Sequence, residues 1–351
     1  MADKKNLAII GFGGMGRYHS IMVKNSDVVT LLGTYDIDPE RMALAREDGV
    51  PTYESLEALL NDPKVDLVTI AIPNDQHKDM TIAALEAGKN VICEKPVALN
   101  SGELEEMIAA SKRTGKLFTV HQNRRWDPDK LAVEALCRSG EIGRVVSIES
   151  RVHGANGIPG DWRKVKAKGG GMVLDWGVHL IDQAIMINRD VPIESVYARL
   201  DYLYGGEVDD GCHIVLRFEN GLVYTVEVGT CNYVILPRFY VRGTDGTAMI
   251  DDWDCPLRVT AKVKARDKDA TPIQAGTGVT KTMAPRPEDT IRTYETPLPA
   301  SDVHDFYRNV CAAIDGREEQ LITHDQLRRV MKVMETAFES AEKDEVIKRI
   351  I

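Results

Sequence analysis

The segment Gly11-Phe12-Gly13-Gly14-Met15-Gly16 has the spacing G-x-G-x-x-G and lies between an apolar run, Leu7–Ile10, and a helical stretch, Met15–Lys24. A strand before and a helix after are the context in which such a loop binds a dinucleotide. Gly11 permits the tight turn, Gly13 lacks the Cβ that would block a pyrophosphate, and Gly16 lets helix and strand pack closely. Phe12, Gly14 and Met15 complete the loop. The helix N-terminus then offers free N–H groups and a positive dipole end to the phosphates. Asp36 ends the next apolar run, Val28–Tyr35, twenty positions after Gly16. A carboxylate there can accept hydrogen bonds from both adenosine ribose hydroxyls and repels a 2′-phosphate, which favours NAD over NADP. The alternative is that Asp36 only opens a turn with Asp38 and Pro39. Arg41, close by, could still tolerate the 2′-phosphate.

The elements that must position this loop follow a regular order. Strand patterns at Leu7–Ile10, Val28–Tyr35, Leu67–Ala71, Val91–Cys93 and Leu117–Val120 alternate with helical ones at 15–24, 39–48, 55–61, 76–87 and 101–114. Pro39 suits a first helical position, Asn74 or Asp75 and Asn100 or Ser101 suit N-caps, and Gly88 and Gly115 suit helix ends. Strands apolar on both faces, alternating with helices, predict a covered parallel sheet. After about Gln122 the pattern changes. A helix near 127–139, a strand at 144–151 and a helix from Leu174 to Ile187 precede a run of strands at 196–204, 213–219, 222–228, 238–243, 247–251 and 258–265. Asn220-Gly221 has the composition of a two-residue hairpin turn. Arg266–Pro299 reads as loop or edge hairpin. A helix from Ser301 to Ile314 and one capped by Thr323 and Gln326 close the chain. We expect an α/β Rossmann domain over 1–122, and an α+β domain with a large open, mainly antiparallel sheet over 123–351.

Composition excludes several functions. The 351 residues carry 44 Lys+Arg against 54 Asp+Glu, a net charge of -10. No excess cation is available for nucleic acid or for an anionic membrane surface. No apolar run approaches the roughly 18 residues of a membrane span, and the N-terminus has no signal-peptide pattern, so a cytoplasmic protein is expected. The six cysteines form no C-x-x-C pair and no zinc spacing. We expect them reduced, with no metal.

Three further motifs carry a resemblance. They are Ile72-Pro73-Asn74 with His77, then Glu94-Lys95-Pro96 after a strand, then Asp175-x-x-x-His179 after Gly169-Gly170-Gly171. With the glycine loop they resemble the Gfo/Idh/MocA oxidoreductases, which include inositol dehydrogenase and glucose–fructose oxidoreductase. The likeness runs from about Leu7 to the C-terminus. It implies a Rossmann domain, a second domain with an open sheet, and an active site at their junction. It also implies hydride transfer between a nicotinamide and a secondary hydroxyl of a sugar, glycoside or cyclic polyol, and a homo-oligomer, dimer or tetramer. Lys95, Asp175 and His179 correspond to the family's catalytic group. Ile72, Pro73, Asn74 and His77 fall near the nicotinamide ribose and diphosphate, and Glu94 near the ribose unless it pairs with a cation. Asn123, Arg124, Trp162 and Arg163 are substrate-binding candidates. Arg124 and Arg125 are equally open to structural ion pairing.

Alcohol oxidation needs a base for the hydroxyl proton, and imidazole titrates in a suitable range. His179 is therefore expected to be that base. Asp175, four residues earlier, either orients the imidazole or holds a substrate hydroxyl. Lys95 places a positive charge beside the developing alkoxide. A cis Lys95–Pro96 peptide would aim it. His153 and Tyr233 are plausible pocket residues, and His19 packs or lines the cofactor edge. Two other functions stand beside the dehydrogenase: a sensor that binds the nucleotide without turnover, and a reductase of imines or unsaturated rings.

Overall fold

The computed structural model describes residues 4–265 and 270–351. Arg266–Asp269, within the segment expected as loop or hairpin, and Met1–Asp3, at the N-terminus expected to carry no leader, lie outside the described residues. The first part of the chain runs β1 (Lys5–Ile10), α1 (Gly14–Met22), β2 (Val29–Tyr35), α2 (Pro39–Glu47), α3 (Leu56–Asn61), β3 (Leu67–Ile70), α4 (His77–Glu86), β4 (Asn90–Cys93), α5 (Ser101–Thr114) and β5 (Phe118–Val120). The five strands pair in parallel in the order β2-β1-β3-β4-β5. Every residue of β3, β4 and β5 is buried, as continuous apolar strands with helices on both faces require. The order reverses between β1 and β3, which opens a crevice beyond the carboxyl ends of the strands. Asn100 caps α5 by accepting from the Glu103 N–H, and Gly115 ends it in the left-handed region.

The second part continues with α6 (Pro128–Ser139), β6 (Val145–His153), α7 (Val178–Ile187), β7 (Ile193–Asp201), β8 (Gly211–Phe218), β9 (Val223–Gly229), β10 (Phe239–Gly243), β11 (Gly246–Ile250) and β12 (Leu257–Lys262). A small hairpin of β13 (Ile273–Ala275) and β14 (Gly278–Thr280) and the edge strand β15 (Ile291–Thr296) follow. Then come α8 (Asp305–Ile314), α9 (His324–Lys343) and β16 (Ile347–Lys348). The nine-stranded sheet has the order β15-β12-β11-β10-β6-β9-β8-β7-β16 and is antiparallel except where β6 meets β9. Its strands alternate: in β8, Ile214, Leu216 and Phe218 are buried while His213 and Arg217 face solvent. Thr323 and Gln326 form the expected capping box of α9. Among the described residues no helix is long and apolar enough to cross a membrane, and all six cysteines are unpaired.

Four local expectations change. The stretch expected as one helix from Leu174 begins instead as a π-helical turn, Val173–Gly177, before α7. Asn74 and Asp75 do not cap α4; a short 3-10 turn, Asn74–Gln76, precedes it. Asn74 donates instead to the Gly169 carbonyl at 2.8 Å, a contact between distant segments that local pattern cannot reveal. Ser301 does not start α8, because its hydroxyl is spent on the Trp126 carbonyl at 2.6 Å. The Asn220-Gly221 turn leaves only Gly221 left-handed, and Phe218 N–H bonds to Leu222 O across a longer loop.

The two parts are tied by a buried ion pair. Arg125, just after β5, makes a two-pronged bond to Asp182 of α7 at 2.8 and 2.6 Å and reaches Gln326 of α9 at 2.7 Å. Removing one partner of such a pair strands the other charge. Arg125→Met is therefore expected to cost about 3–5 kcal/mol, measured by denaturant unfolding. The double change Arg125→Met with Asp182→Leu is expected to recover most of that loss.

Candidate active site

The crevice beyond β1, β3, β4 and β5 is lined by the residues that follow each strand. After β1 comes the glycine loop. A Cβ on Gly16 would collide with the Gly11 carbonyl, so helix and strand meet only because the residue is glycine. A Cβ on Gly13 would stand 2.5 Å from the Arg41 guanidinium, on the flank where a pyrophosphate must approach; Gly14 has open space. No side chain caps α1, so its first N–H groups remain available. These features fit a dinucleotide phosphate. The Phe12 side chain is buried and Met15 is half-buried. Asp36 accepts from the Phe12 N–H at 2.6 Å and from the Asp38 N–H at 2.8 Å, with the Arg41 guanidinium 3.9 Å away. The turn contact with Asp38 is thus realised, and the carboxylate lies against the glycine loop.

After β3 the chain passes half-buried Ile72 and Pro73 to buried Asn74. His77 is fully buried. Its ring nitrogens lie 2.8 Å from Pro96 O and 3.0 Å from Ile72 O. Both ring nitrogens thus face backbone carbonyls, one from each of two loops. After β4, Lys95 precedes Pro96 through a cis peptide. The ammonium of Lys95 donates to the Asp175 carbonyl at 2.8 Å and to its carboxylate at 3.0 Å. The other Asp175 oxygen accepts from Arg163 at 3.1 Å, and Arg163 also bonds Asp161 and lies over the Trp162 ring. Burial alone would raise the Asp175 carboxyl, but Lys95 and Arg163 outweigh it and hold it below the ordinary range.

His179, four residues on, is buried, and its Nδ1 has no partner among the described residues. Asp175 is committed to the two cations, so it makes no bond to His179. The π-helical turn and those cations remove the orienting contact that i,i+4 spacing suggested. Burial first, then the charges of Lys95 and Arg124, push the imidazole well below its ordinary value. At neutral pH it is an uncharged ring able to take a proton. The turn before it is held by Asp209, a residue the sequence did not flag. Asp209 accepts from the Val173 N–H at 2.7 Å. Gly171, at φ +107°, leaves no room for a side chain there, because a Cβ would collide with Asp209 Oδ1.

The segment after β5 separates the two arginines. Arg125 is the structural one. Arg124 faces a cavity of about 510 Å³ that Asp175, Trp176, His153 and Trp253 also line. Its guanidinium stacks over Trp176 at 4.3 Å and Trp253 at 4.9 Å and bonds Asp127 at 3.2 Å. Trp253 comes from the β11–β12 connection, and nothing local marks it. Asn123 is half-buried at the start of the same turn. Tyr233, expected near the pocket, is 82% exposed and does not line it.

Glu94, expected near the ribose or in a pair with a cation, bonds two histidine rings. It is buried, and its Oε1 accepts from His19 at 2.9 Å and from His121 at 2.7 Å. Sequence spacing holds no hint of this cluster. The three potential ligand atoms of this cluster lie within 4.8 Å of one another.

Comparison with known proteins agrees with this fold. Residues 5–122 match the oxidoreductase family with an NAD-binding Rossmann fold, and residues 131–249 match the GFO/IDH/MocA C-terminal domain. An uncharacterized oxidoreductase of Schizosaccharomyces pombe is 31% identical over 330 residues, 86% of either chain. A myo-inositol 2-dehydrogenase of Thermotoga maritima is 30% identical over 230 residues, 63% of this chain and 67% of its own. The crystal structure of an NAD-binding protein from Listeria innocua is 46% identical, with a TM-score of 0.95, and the match covers 99% of this chain and 100% of that one.

Burial pushes the Asp209 carboxyl up to about 6. The folded chain then binds more protons than the unfolded one between about pH 4 and 6, so this group's contribution to stability falls as pH rises through that window. Asp209→Asn keeps an acceptor for Val173 and removes the charge. We expect it to be more stable than the parent at pH 7.5, by about 1–3 kcal/mol, with the difference vanishing near pH 4. Thermal unfolding across pH checks this.

Proposed function

The chain belongs to the Gfo/Idh/MocA oxidoreductase family, and on that footing we propose that it is a dehydrogenase of a sugar, glycoside or cyclic polyol. The observation that carries this proposal is the Lys95–Asp175–Arg163 ion cluster set beside an uncharged His179 whose Nδ1 has no partner among the described residues.

When bound, a nicotinamide dinucleotide supplies the hydride acceptor. The residues that would hold it are the glycine loop at the uncapped end of α1, Asp36 at the ribose, and the Ile72-Pro73-Asn74 turn alongside. His179 takes the hydroxyl proton, because His77, His19 and His121 are each bonded to other groups. The Lys95 ammonium stabilises the oxygen as charge develops on it. Asp175 holds that ammonium in place and keeps Arg163 turned toward the substrate side. Arg124, stiffened between two indoles, and half-buried Asn123 are suited to substrate oxygens, since a planar guanidinium can grip two at once. Asp36 favours NAD, with Arg41 as the nearby cation that a 2′-phosphate would need. The name of the Thermotoga maritima relative makes cyclic polyols the first substrates to try.

The test is nicotinamide reduction with inositols, monosaccharides and glycosides, with NAD and NADP in parallel. We expect turnover with NAD, and a loss of about 100- to 10,000-fold in kcat for His179→Ala. Because the imidazole is held well below its ordinary value, the acid limb of kcat/KM should lie below about pH 6.5. Cofactor binding with no turnover across the panel, or turnover that survives His179→Ala, would overturn the assignment.

A further inference from the structure

Glu94 has a different environment from its neighbour Lys95. The carboxylate is buried and collects N–H donors from three segments. His19 on α1 gives Nε2–H at 2.9 Å, His121 after β5 gives Nδ1–H at 2.7 Å, and the Lys95 backbone gives N–H to the second oxygen at 3.2 Å. The chain of bonds continues on the far side of His19. The Tyr307 hydroxyl of α8 lies 2.7 Å from His19 Nδ1, with the Thr69 hydroxyl 3.5 Å from Tyr307. All of these side chains are buried.

The directions of the bonds follow from donor and acceptor capacity. An ionised carboxylate only accepts. Each imidazole facing it must therefore carry its proton on the facing nitrogen. That leaves His19 Nδ1 bare, and Tyr307 O–H can donate to it. His121 Nε2, on the far side of its ring, is buried without a partner among the described residues. The protons of these bonds point toward Glu94, and every member of the set is buried. The set therefore cannot carry the substrate's proton away. What it can do is hold a buried anion and the Lys95 backbone in one arrangement.

We infer that Tyr307, His19, Glu94 and His121 form a positioning unit that fixes Lys95 from behind, with Glu94 an inward-facing anchor rather than a ribose contact. The inference rests on the assignment of Lys95 to the reaction. It makes α8, near the end of the chain, part of what aims a residue at the end of β4.

The test has two independent readouts. The first needs no activity: nitrogen-15 spectra of histidine-labelled protein report each ring's tautomer. We expect His19 as the Nε2–H form and His121 as the Nδ1–H form in the parent, with the His19 signals changed in Tyr307→Phe. The second is kinetic. Tyr307→Phe keeps the ring and its packing, and Glu94→Gln puts an N–H₂ group where only an acceptor fits. We expect both to lower kcat about 10- to 100-fold with substrate KM nearly unchanged, as misplacement of a reacting group does, while circular dichroism shows a folded protein. A His19 found as the Nδ1–H tautomer would overturn the inference. So would a Tyr307→Phe enzyme that melts earlier but keeps its kcat. An inactive parent protein would count against the dehydrogenase assignment instead, and the tautomers would still decide the arrangement.

Discussion

The contact between Lys95 and Asp175 is the joint on which the crevice depends. Lys95 stands at the carboxyl end of β4 in the parallel sheet, and Asp175 stands in the π-helical turn that leads to α7. Both side chains are only 14% exposed, so the attraction acts where water screens it weakly. Separating the parts would leave a half-desolvated carboxylate facing Arg163 alone. Burial, then the charges of Lys95 and Arg124, set the state of His179. With its carboxylate neighbour spent on two cations, the imidazole feels burial and positive charge together and stays uncharged.

Around this joint, the chain is stitched in a way that a simple two-domain order does not convey. The segment after β5 supplies Arg125 to α7 and Arg124 to the cavity. The last helices then return to the first sheet. Tyr307 of α8 reaches Thr69 and His19, the Ser26 hydroxyl lies 2.8 Å from His304 Nε2, and Thr119 donates to the Ile322 carbonyl. The parallel sheet is thus completed by residues some 200 or more positions away in the chain.

The cavity next to the crevice shows a similar economy. Arg124 is held on one side by indole faces and on another by Asp127, so its guanidinium loses little freedom when it meets a further oxygen. Arg238, buried, pairs with Asp129 at 3.0 Å and lies 4.5 Å from the Trp253 ring that Arg124 also meets. Arg124 and Arg238 can meet the same indole because each has its own carboxylate, Asp127 and Asp129.

Much of this protein was legible in its sequence. Apolar runs and their punctuation by glycine, proline and capping residues specify local backbone, and they located all five parallel strands, the strand-rich second part and the capping box at Thr323. The glycine loop, the cis Lys95–Pro96 turn and the placing of Asp175 and His179 after a glycine-rich bend belong to the same class, because each is a property of a few consecutive residues. Partner choice is not such a property. That Asp175 turns to Lys95 and Arg163 rather than to His179, that Glu94 faces inward to His19 and His121, that Asn74 bonds Gly169 instead of capping its helix, and that Trp253 stacks on Arg124 were decided only when distant segments packed. A side chain with several possible partners takes the one that packing brings within reach and that burial makes costly to leave unpaired.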